Sequence, residues 1–359
     1  WPEALRRGDA PGVAEFARTH AAEVGFAAFQ QYLADRQLAE AASAGAGLYR
    51  DLAVGAAPDG AEVWSGDMPF LHGFVVGAPP DPLGPEGQVW GLPAPDPTAW
   101  AASGFAGFAG LVRANMRHAR ALRIDHVLGL RRLFLVPEGA RGSEGAYLAY
   151  PFQDLLGQLA LESHAAQCLM VGEDLGTVPE GMGEALQSAN VLSYRVLWFE
   201  REGARFREPE AYPPRAAACV STHDLPPLEG WWHGEDIAER VRLGFVADEA
   251  AARAERARDR EALLDALEEQ RLLPADAHAD GPMTDALAGA IHAFIARTPC
   301  LLALVQAEDL AGERIGVNLP GTDRERPNWR RRLPVAAAAL PASARARAIL
   351  RAVGGASTA

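Results

Sequence analysis

An α/β fold with a parallel sheet of the barrel type is predicted by two features of the sequence. Short apolar runs alternate with helical patterns along the chain, as they do in repeated strand–helix units. Three of these runs end in an acid, at Asp125, Glu173 and Asp224. Because the carboxyl ends of the strands meet at one face of a parallel barrel, the three acids are expected to meet there.

Six apolar runs are candidate strands. They cover residues 48–54, 123–127, 168–171, 191–199, 216–220 and 301–305. A closed barrel of this type needs eight strands. The chain also opens on Trp1 rather than Met, inside a helical pattern. We therefore expect a (β/α)8 barrel in which the first two strands are missing.

Helical patterns fill the intervals between the strands. They cover residues 11–44, 105–121, 155–166, 247–270 and 284–296. Residues 55–100 are rich in Gly, Pro and Asp, which predicts a long irregular loop, usually a functional feature. The expected organisation is a partial catalytic barrel over 1–340, with the inserted loop 55–100 and a helical insertion near 235–280. A helical tail is expected over 341–359.

Composition excludes several classes of function. A net charge of −13 makes binding to nucleic acid or to an anionic membrane a poor expectation, so no such partner is predicted. All 34 basic residues are Arg, which rules out a lysine Schiff base. The three cysteines are far apart, as in a cytoplasmic protein with reduced, buried thiols. No Cys/His cluster has metal-ligand spacing, and no cofactor is expected.

Arg123 and Asp125 are two residues apart on a predicted strand, so their side chains share one face. The guanidinium can then keep the carboxylate ionised, as a nucleophile requires. A purely structural ion pair at a strand end fits this pattern equally well.

Glu173 follows the apolar run 168–172, where partial desolvation would raise its pKa toward that of a general acid. An acid in this position can also have a merely local role, since Glu-Asp pairs are common. His223 and Asp224 follow the run 216–220 and could bind sugar hydroxyls. Metal binding is the alternative there, although no second His lies at ligand spacing.

Two further segments combine polar and aromatic residues. The first contains 77–81 and 87–91, with Gln88 and Trp90, and is interpreted as a rigid surface loop. An exposed Trp90 would offer a flat face to a sugar ring, whereas a buried Trp90 would only anchor the loop. The second contains 317–322 and 328–332.

These motifs together resemble the amylomaltase (4-alpha-glucanotransferase) family of the alpha-amylase-like barrel clan, and most closely its longer, enterobacterial type. The resemblance covers about residues 12–335. The matching segments are 47–55, 77–81, 87–93, 121–127, 171–179, 221–226, 317–322 and 328–332.

The resemblance implies a role for each candidate residue. Asp125 is similar to the family nucleophile, Glu173 to the general acid/base and Asp224 to the stabiliser of the transition state. Arg123 and His223 match residues around the donor glucose, and Asp51 matches an acid of the third barrel strand. Gln88 and Trp90 match the loop that lines the acceptor side.

The reaction implied is transfer of α-1,4-glucan segments by retaining double displacement, with the two reacting carboxyl groups roughly 5–5.5 Å apart. The donor would be a maltooligosaccharide or glucan, and the acceptor glucose or a maltooligosaccharide. A hydrolase of α-1,4-glucans would use the same carboxylates. An inactive carbohydrate-binding fragment is a third possibility.

Overall fold

A computed structural model describes residues 1–80 and 86–356 of the chain. They fall into two compact units, residues 1–193 and residues from 194 onward. Among the helices of the described residues, none is both long and apolar enough to cross a membrane.

The described residues of the first unit form seven strands and seven α-helices. The strands are β1 (Tyr49–Leu52), β2 (Phe70–Ala78), β3 (Gln88–Pro95), β4 (Ala121–Ile124), β5 (Arg132–Pro137), β6 (Ala146–Ala149) and β7 (Leu169–Gly172). The helices are α1 (Gly12–Thr19), α2 (Ala21–Ala42), α3 (Ala61–Ser65), α4 (Pro97–Ala102), α5 (Ala106–Met116), α6 (Phe152–Ala166) and α7 (Met182–Ser188).

A parallel sheet of order β1-β4-β7 confirms the first three predicted strands. Asp51 lies opposite Arg123, and Ile124 lies opposite Gly172. β4 is buried along its whole length, as expected of a central parallel strand. Because all three strands run in the same direction, the residues that follow them lie side by side at one edge.

A second, antiparallel sheet of order β3-β2-β5-β6 was not predicted. The interpretation of 55–100 as an irregular loop is wrong for the described residues, since this segment contains α3, β2, β3 and α4. Gly77 contributed to the wrong interpretation, because a glycine usually indicates a loop. Here its lack of a side chain lets β2 and β3 approach each other. A Cβ at this position would lie 2.2 Å from the carbonyl oxygen of Gln88. Asp81, in the motif 77–81, lies outside the described residues.

Helices α5 and α6 pack on the parallel sheet through a continuous apolar core. Val112 and Met116 of α5 and Leu155 and Leu159 of α6 are buried in this core. On α2, by contrast, large apolar side chains such as Phe26 remain exposed.

In the second unit, the residues up to 356 form five strands and six α-helices, and the boundary of the unit falls at the start of β8. The strands are β8 (Ser193–Val196), β9 (Arg201–Glu202), β10 (Arg205–Phe206), β11 (Ala216–Cys219) and β12 (Leu302–Leu304). The helices are α8 (Leu228–His233), α9 (Glu235–Arg242), α10 (Glu249–Glu269), α11 (Asp285–Ala296), α12 (Ala307–Ala311) and α13 (Ala344–Ala356).

The sheet of the second unit has the order β12-β11-β8, which confirms the other three predicted strands. β11 and β12 are parallel, and β11 is completely buried. Helix α11 begins after Thr284, whose hydroxyl accepts the N–H of Leu287 in an N-cap. It packs against α13, which lies within the predicted tail 341–359; residues 357–359 lie outside the described part.

Burial predicts how two leucines of α6 contribute to stability. Leu159 is completely buried, whereas Leu161 is 66% exposed. Leu159→Ala leaves a cavity and is expected to lower the free energy of unfolding by about 2–5 kcal/mol. Leu161→Ala, on the same helix, should change it by less than about 0.5 kcal/mol. Urea unfolding followed by circular dichroism measures both; equal losses would contradict the packing described here.

Candidate active site

Arg123 connects two acids at the carboxyl edge of the parallel sheet. Its Nη1 donates to both carboxylate oxygens of Asp51, at 2.8 and 2.9 Å. Its Nη2 lies 2.7 Å from Oδ1 of Asp125. The strand register places Asp51 opposite Arg123, and the two-residue spacing places Asp125 on the same face. The ion pair predicted between Arg123 and Asp125 is therefore confirmed, with Asp51 as a second partner.

Burial makes this arrangement electrostatically strong. Arg123 is only 7% exposed. Burial alone would lower its pKa, but the charges of Asp125 and Asp51 outweigh that effect, so the pKa is raised. Arg123 therefore stays charged at every working pH. Asp125 faces a permanent positive charge, as a nucleophilic carboxylate should.

Glu173 directly follows β7 and is 9% exposed. Its Oε2 accepts the backbone N–H of His126 at 2.9 Å, and its Oε1 accepts that of Leu175 at 2.8 Å. Burial raises the pKa of Glu173 to about 7, with a smaller increase from Asp125. The two N–H groups and Arg123 act in the opposite direction. Near neutral pH this carboxyl group can both give and take a proton.

His126 links Glu173 to the aromatic residue of β3. Its backbone is left-handed, with φ of 46°, and this conformation accompanies the hydrogen bond from its N–H to Glu173. Its ring meets Trp90 edge to face, with centroids 5.6 Å apart. Trp90 Nε1 donates to Oε1 of Gln88 at 3.0 Å. Trp90 is half-buried and belongs to β3, so the interpretation of its segment as a loop is wrong, and the ring is neither fully exposed nor fully buried.

His223 and Asp224 follow β11 in the second unit. His223 Nε2 lies 3.3 Å from Asp224 Oδ2, and the backbone N–H of Asp224 donates to the hydroxyl of Thr222 at 3.2 Å. Asn318 Nδ2 donates to Asp224 Oδ1 at 2.6 Å. This pair is thus held by the strand end on one side and by the loop 316–329 on the other.

The predicted site residues thus form two groups in the structure, one in each unit. Asp51, Arg123, Asp125 and Glu173 lie together at the edge of the first sheet, with Gln88 and Trp90 joined to them through His126. His223 and Asp224 form the second group, within the second unit.

Sequence reasoning predicted the pair Arg123–Asp125 but missed the hydrogen-bond partners of Glu173 and Asp224. The N–H donors to Glu173 carry no side-chain signal that a sequence could reveal. Asn318 was part of a recognised motif, and its amide beside an acid could have been predicted from that motif.

The cysteines agree better with expectation, since Cys168 and Cys219 are buried and Cys300 is half-buried.

This geometry is that of an α/β fold with an acidic cluster at the carboxyl ends of parallel strands, an arrangement found in many carbohydrate-active enzymes. Comparison with known proteins makes the assignment more specific. A family model described as 4-alpha-glucanotransferase matches residues 1–337. The chain belongs to this family.

Relatives and solved structures agree with this assignment. The 4-alpha-glucanotransferase of Haemophilus influenzae is 39% identical over 88% of this chain and 47% of its own. That of Mycobacterium bovis is 38% identical over 92% and 47%. The crystal structure of amylomaltase from Corynebacterium glutamicum matches with a TM-score of 0.85 and 34% identity, over 90% of this chain and 49% of that chain.

Amylomaltase from Streptococcus agalactiae, solved with acarbose, matches with a TM-score of 0.74 at 17% identity, over 99% of this chain and 68% of that chain, and supports the fold. The predicted fold class, the (β/α)8 barrel of the alpha-amylase-like clan, is confirmed. The chain spans about half the length of the curated relatives it matches.

The raised pKa of Glu173 predicts how stability depends on pH. The folded state holds this proton up to about pH 7, whereas the unfolded chain releases it near the ordinary value of 4.5. Stability should therefore fall as pH rises between these values, by roughly 3 kcal/mol in total. Glu173→Gln should remove this part of the slope.

Chemical unfolding at a series of pH values measures the effect. The exposed Glu180, in the loop after β7, supplies the control Glu180→Gln, which should keep the wild-type slope. If wild type and Glu173→Gln lose stability equally between pH 4.5 and 7, Glu173 does not carry the raised pKa.

Proposed function

We propose that the protein is a 4-alpha-glucanotransferase that moves α-1,4-glucan segments between maltooligosaccharides by retaining double displacement. Asp125 is the nucleophile and Glu173 the general acid/base. Asp224 stabilises the transition state. The donor is a maltooligosaccharide or glucan, the acceptor is glucose or a maltooligosaccharide, and the reaction takes place in the cytoplasm.

One observation carries this proposal, namely the opposite environments of two carboxyl groups on neighbouring strands. Asp125 faces the permanent charge of Arg123 at 2.7 Å. Glu173 is buried, and its pKa is raised to about 7. A nucleophile must be ionised while the acid beside it still holds a proton, and a pair of carboxyl groups in contrasting surroundings meets this need.

The reaction follows from these two protonation states. Asp125 attacks the anomeric carbon of the donor, the glycosidic C–O bond breaks, and Glu173 gives its proton to the leaving oxygen. An acceptor hydroxyl then transfers its proton to Glu173 and attacks the same carbon, which releases Asp125. The two inversions retain the anomeric configuration and restore both carboxyl groups. The separation of roughly 5–5.5 Å between them stays a prediction.

The remaining residues bind the sugars. Arg123 and His223 hydrogen-bond the donor glucose, and Asp51 fixes Arg123 from the neighbouring strand through its bonds of 2.8 and 2.9 Å. Gln88 and Trp90 line the acceptor side. The amide of Gln88 holds the indole N–H at 3.0 Å, which orients the ring.

Removing the acid/base tests the assignment of Glu173. Glu173→Gln keeps the shape of the side chain but has no transferable proton, so transfer should slow by about 10²–10⁴-fold. The control Glu180→Gln should retain wild-type activity. Product analysis with maltotriose measures the rate, and circular dichroism confirms folding. Unchanged transfer in a folded Glu173→Gln variant would remove Glu173 from its role.

The same assay separates transfer from hydrolysis. A transferase converts maltotriose into longer oligosaccharides plus glucose, while the number of reducing ends stays constant. A hydrolase increases the number of reducing ends without longer products. A protein that binds maltotriose but forms neither product would be a carbohydrate-binding protein, and the proposed function would then be wrong.

A further inference from the structure

Trp329 presents a large apolar ring to solvent in the second unit, where it is 61% exposed. Exposure of one apolar side chain is common on protein surfaces. What sets Trp329 apart is how its loop, residues 316–329, holds the ring. This loop contains neither helix nor strand, yet the buried Arg326 and the half-buried Asn328 fix its course.

Arg326 forms the interior of this loop. It is buried, and its Nε donates to Oε1 of Glu239 on α9 at 3.0 Å. Its guanidinium also donates to the carbonyl oxygens of Gly316 and Val317. One side chain therefore joins the beginning of the loop to its end and connects both to a helix.

Asn328 completes this scaffold directly before Trp329. Its Oδ1 accepts from Arg326 Nη1 at 2.7 Å and from the backbone N–H of Leu319 at 3.2 Å. Its Nδ2 donates to the carbonyl and the hydroxyl of Thr322, at 3.0 and 2.9 Å. The amide of Asn328 thus makes all its hydrogen bonds within the loop. The side chain of the next residue, Trp329, is exposed instead.

The backbone of Trp329 is left-handed, with φ of 60°. This conformation is unfavourable for a bulky residue and persists only where the surroundings impose it. Its N–H donates to the carbonyl of Val317 at 2.9 Å, which is one such constraint. Glycine or asparagine would adopt this conformation with less strain. The fold of the loop therefore does not by itself require an indole ring.

The ring lies beside the pair formed by His223 and Asp224. Its centroid is 5.2 Å from that of His223, at an interplanar angle of 50°. From the same loop, Asn318 Nδ2 donates to Asp224 at 2.6 Å. One rigid loop thus supplies a neighbour to each member of the pair, an aromatic face to His223 and an amide to Asp224.

A cleft of about 660 Å³ opens next to the ring. The residues that line it include Asn318, Thr322, Asp323 and Arg324. The volume falls within the range of small-molecule sites. A flat aromatic face bordered by donors and acceptors matches a pyranose ring, whose C–H face is apolar and whose rim carries hydroxyls.

We propose that Trp329, whose ring lies beside His223, is a stacking platform for one glucose unit of an α-glucan chain in this cleft. The electron-rich face of the indole meets the weakly positive C–H groups of the sugar. The side chains of Asn318 and Asp323 hydrogen-bond the sugar hydroxyls. This assignment rests on the proposed function for its ligand class.

Three arginines and one acid line the cleft, namely Arg324, Arg326, Arg330 and Asp323. Arg326, the buried cation of the cleft, is already paired with Glu239. Asp323 places a negative charge in the same lining as Arg324. The neutral character of the ligand follows from the proposed function, and the side chains of Asp323 and Arg324 can hydrogen-bond its hydroxyls.

Two substitutions separate the ring from the backbone that carries it. Trp329→Asn suits the left-handed conformation but removes the aromatic face, whereas Trp329→Phe retains a smaller ring. The control is Phe245→Ala, an exposed aromatic residue of the same unit. Calorimetric titration with maltoheptaose should show affinity reduced about tenfold by Trp329→Asn, less than about threefold by Trp329→Phe, and unchanged by the control.

Kinetics with maltoheptaose as donor supply a second readout. Stacking stabilises the bound ground state and the transition state equally. Trp329→Asn should therefore raise KM about tenfold and change kcat less than about twofold. Unaltered affinity in folded Trp329→Asn, or stronger binding of phosphorylated maltooligosaccharide than of the neutral one, would overturn the assignment.

The outcomes also separate this inference from the proposed function. Wild-type protein that binds maltoheptaose through Trp329 but transfers nothing would contradict the transferase and support the platform. Normal transfer with unchanged affinity in Trp329→Asn would contradict the platform alone. A wild-type protein that fails to bind maltoheptaose would contradict both.

Discussion

The buried guanidinium of Arg123 is the constraint on which the acidic edge of the first unit depends. A charge removed from water is costly unless partners compensate it, and here Asp51 and Asp125 do so from two adjacent strands. Without Arg123, these carboxylates would repel each other at the end of the sheet. The guanidinium therefore orients the carboxylate of Asp125. Its charge also lowers the pKa of Glu173 and so favours the ionised form of that group.

The parallel strands and their acids could be predicted because the responsible signals are local. A central strand such as β4 is buried on both faces and appears in the sequence as an apolar run. The contact between Arg123 and Asp125 follows from strand periodicity alone. The assignment of Asp51 came only from resemblance, since its pairing with Arg123 depends on a register between segments about 70 residues apart.

The antiparallel sheet could not be predicted because its strands contain residues that usually interrupt strands. β2 includes Gly73 and Gly77, and β3 includes Gly91 and Pro93. Gly73 and Gly91 have positive φ, and the register of β2 with β3 shifts twice. Irregular strands of this kind are stabilised by pairing with neighbours that are distant in sequence, and a local pattern does not contain that information.

The hydrogen bonds to Glu173 explain how one carboxyl group could serve both steps of the proposed double displacement. Burial alone would favour its neutral form strongly, and a permanently protonated acid could not become a base. The N–H groups of His126 and Leu175 stabilise the charged form and keep the pKa near 7 instead of higher. Because these donors belong to the backbone, they need not reorganise when the proton leaves. The left-handed turn at His126 is therefore as important to the proposed acid/base role as the carboxyl group itself.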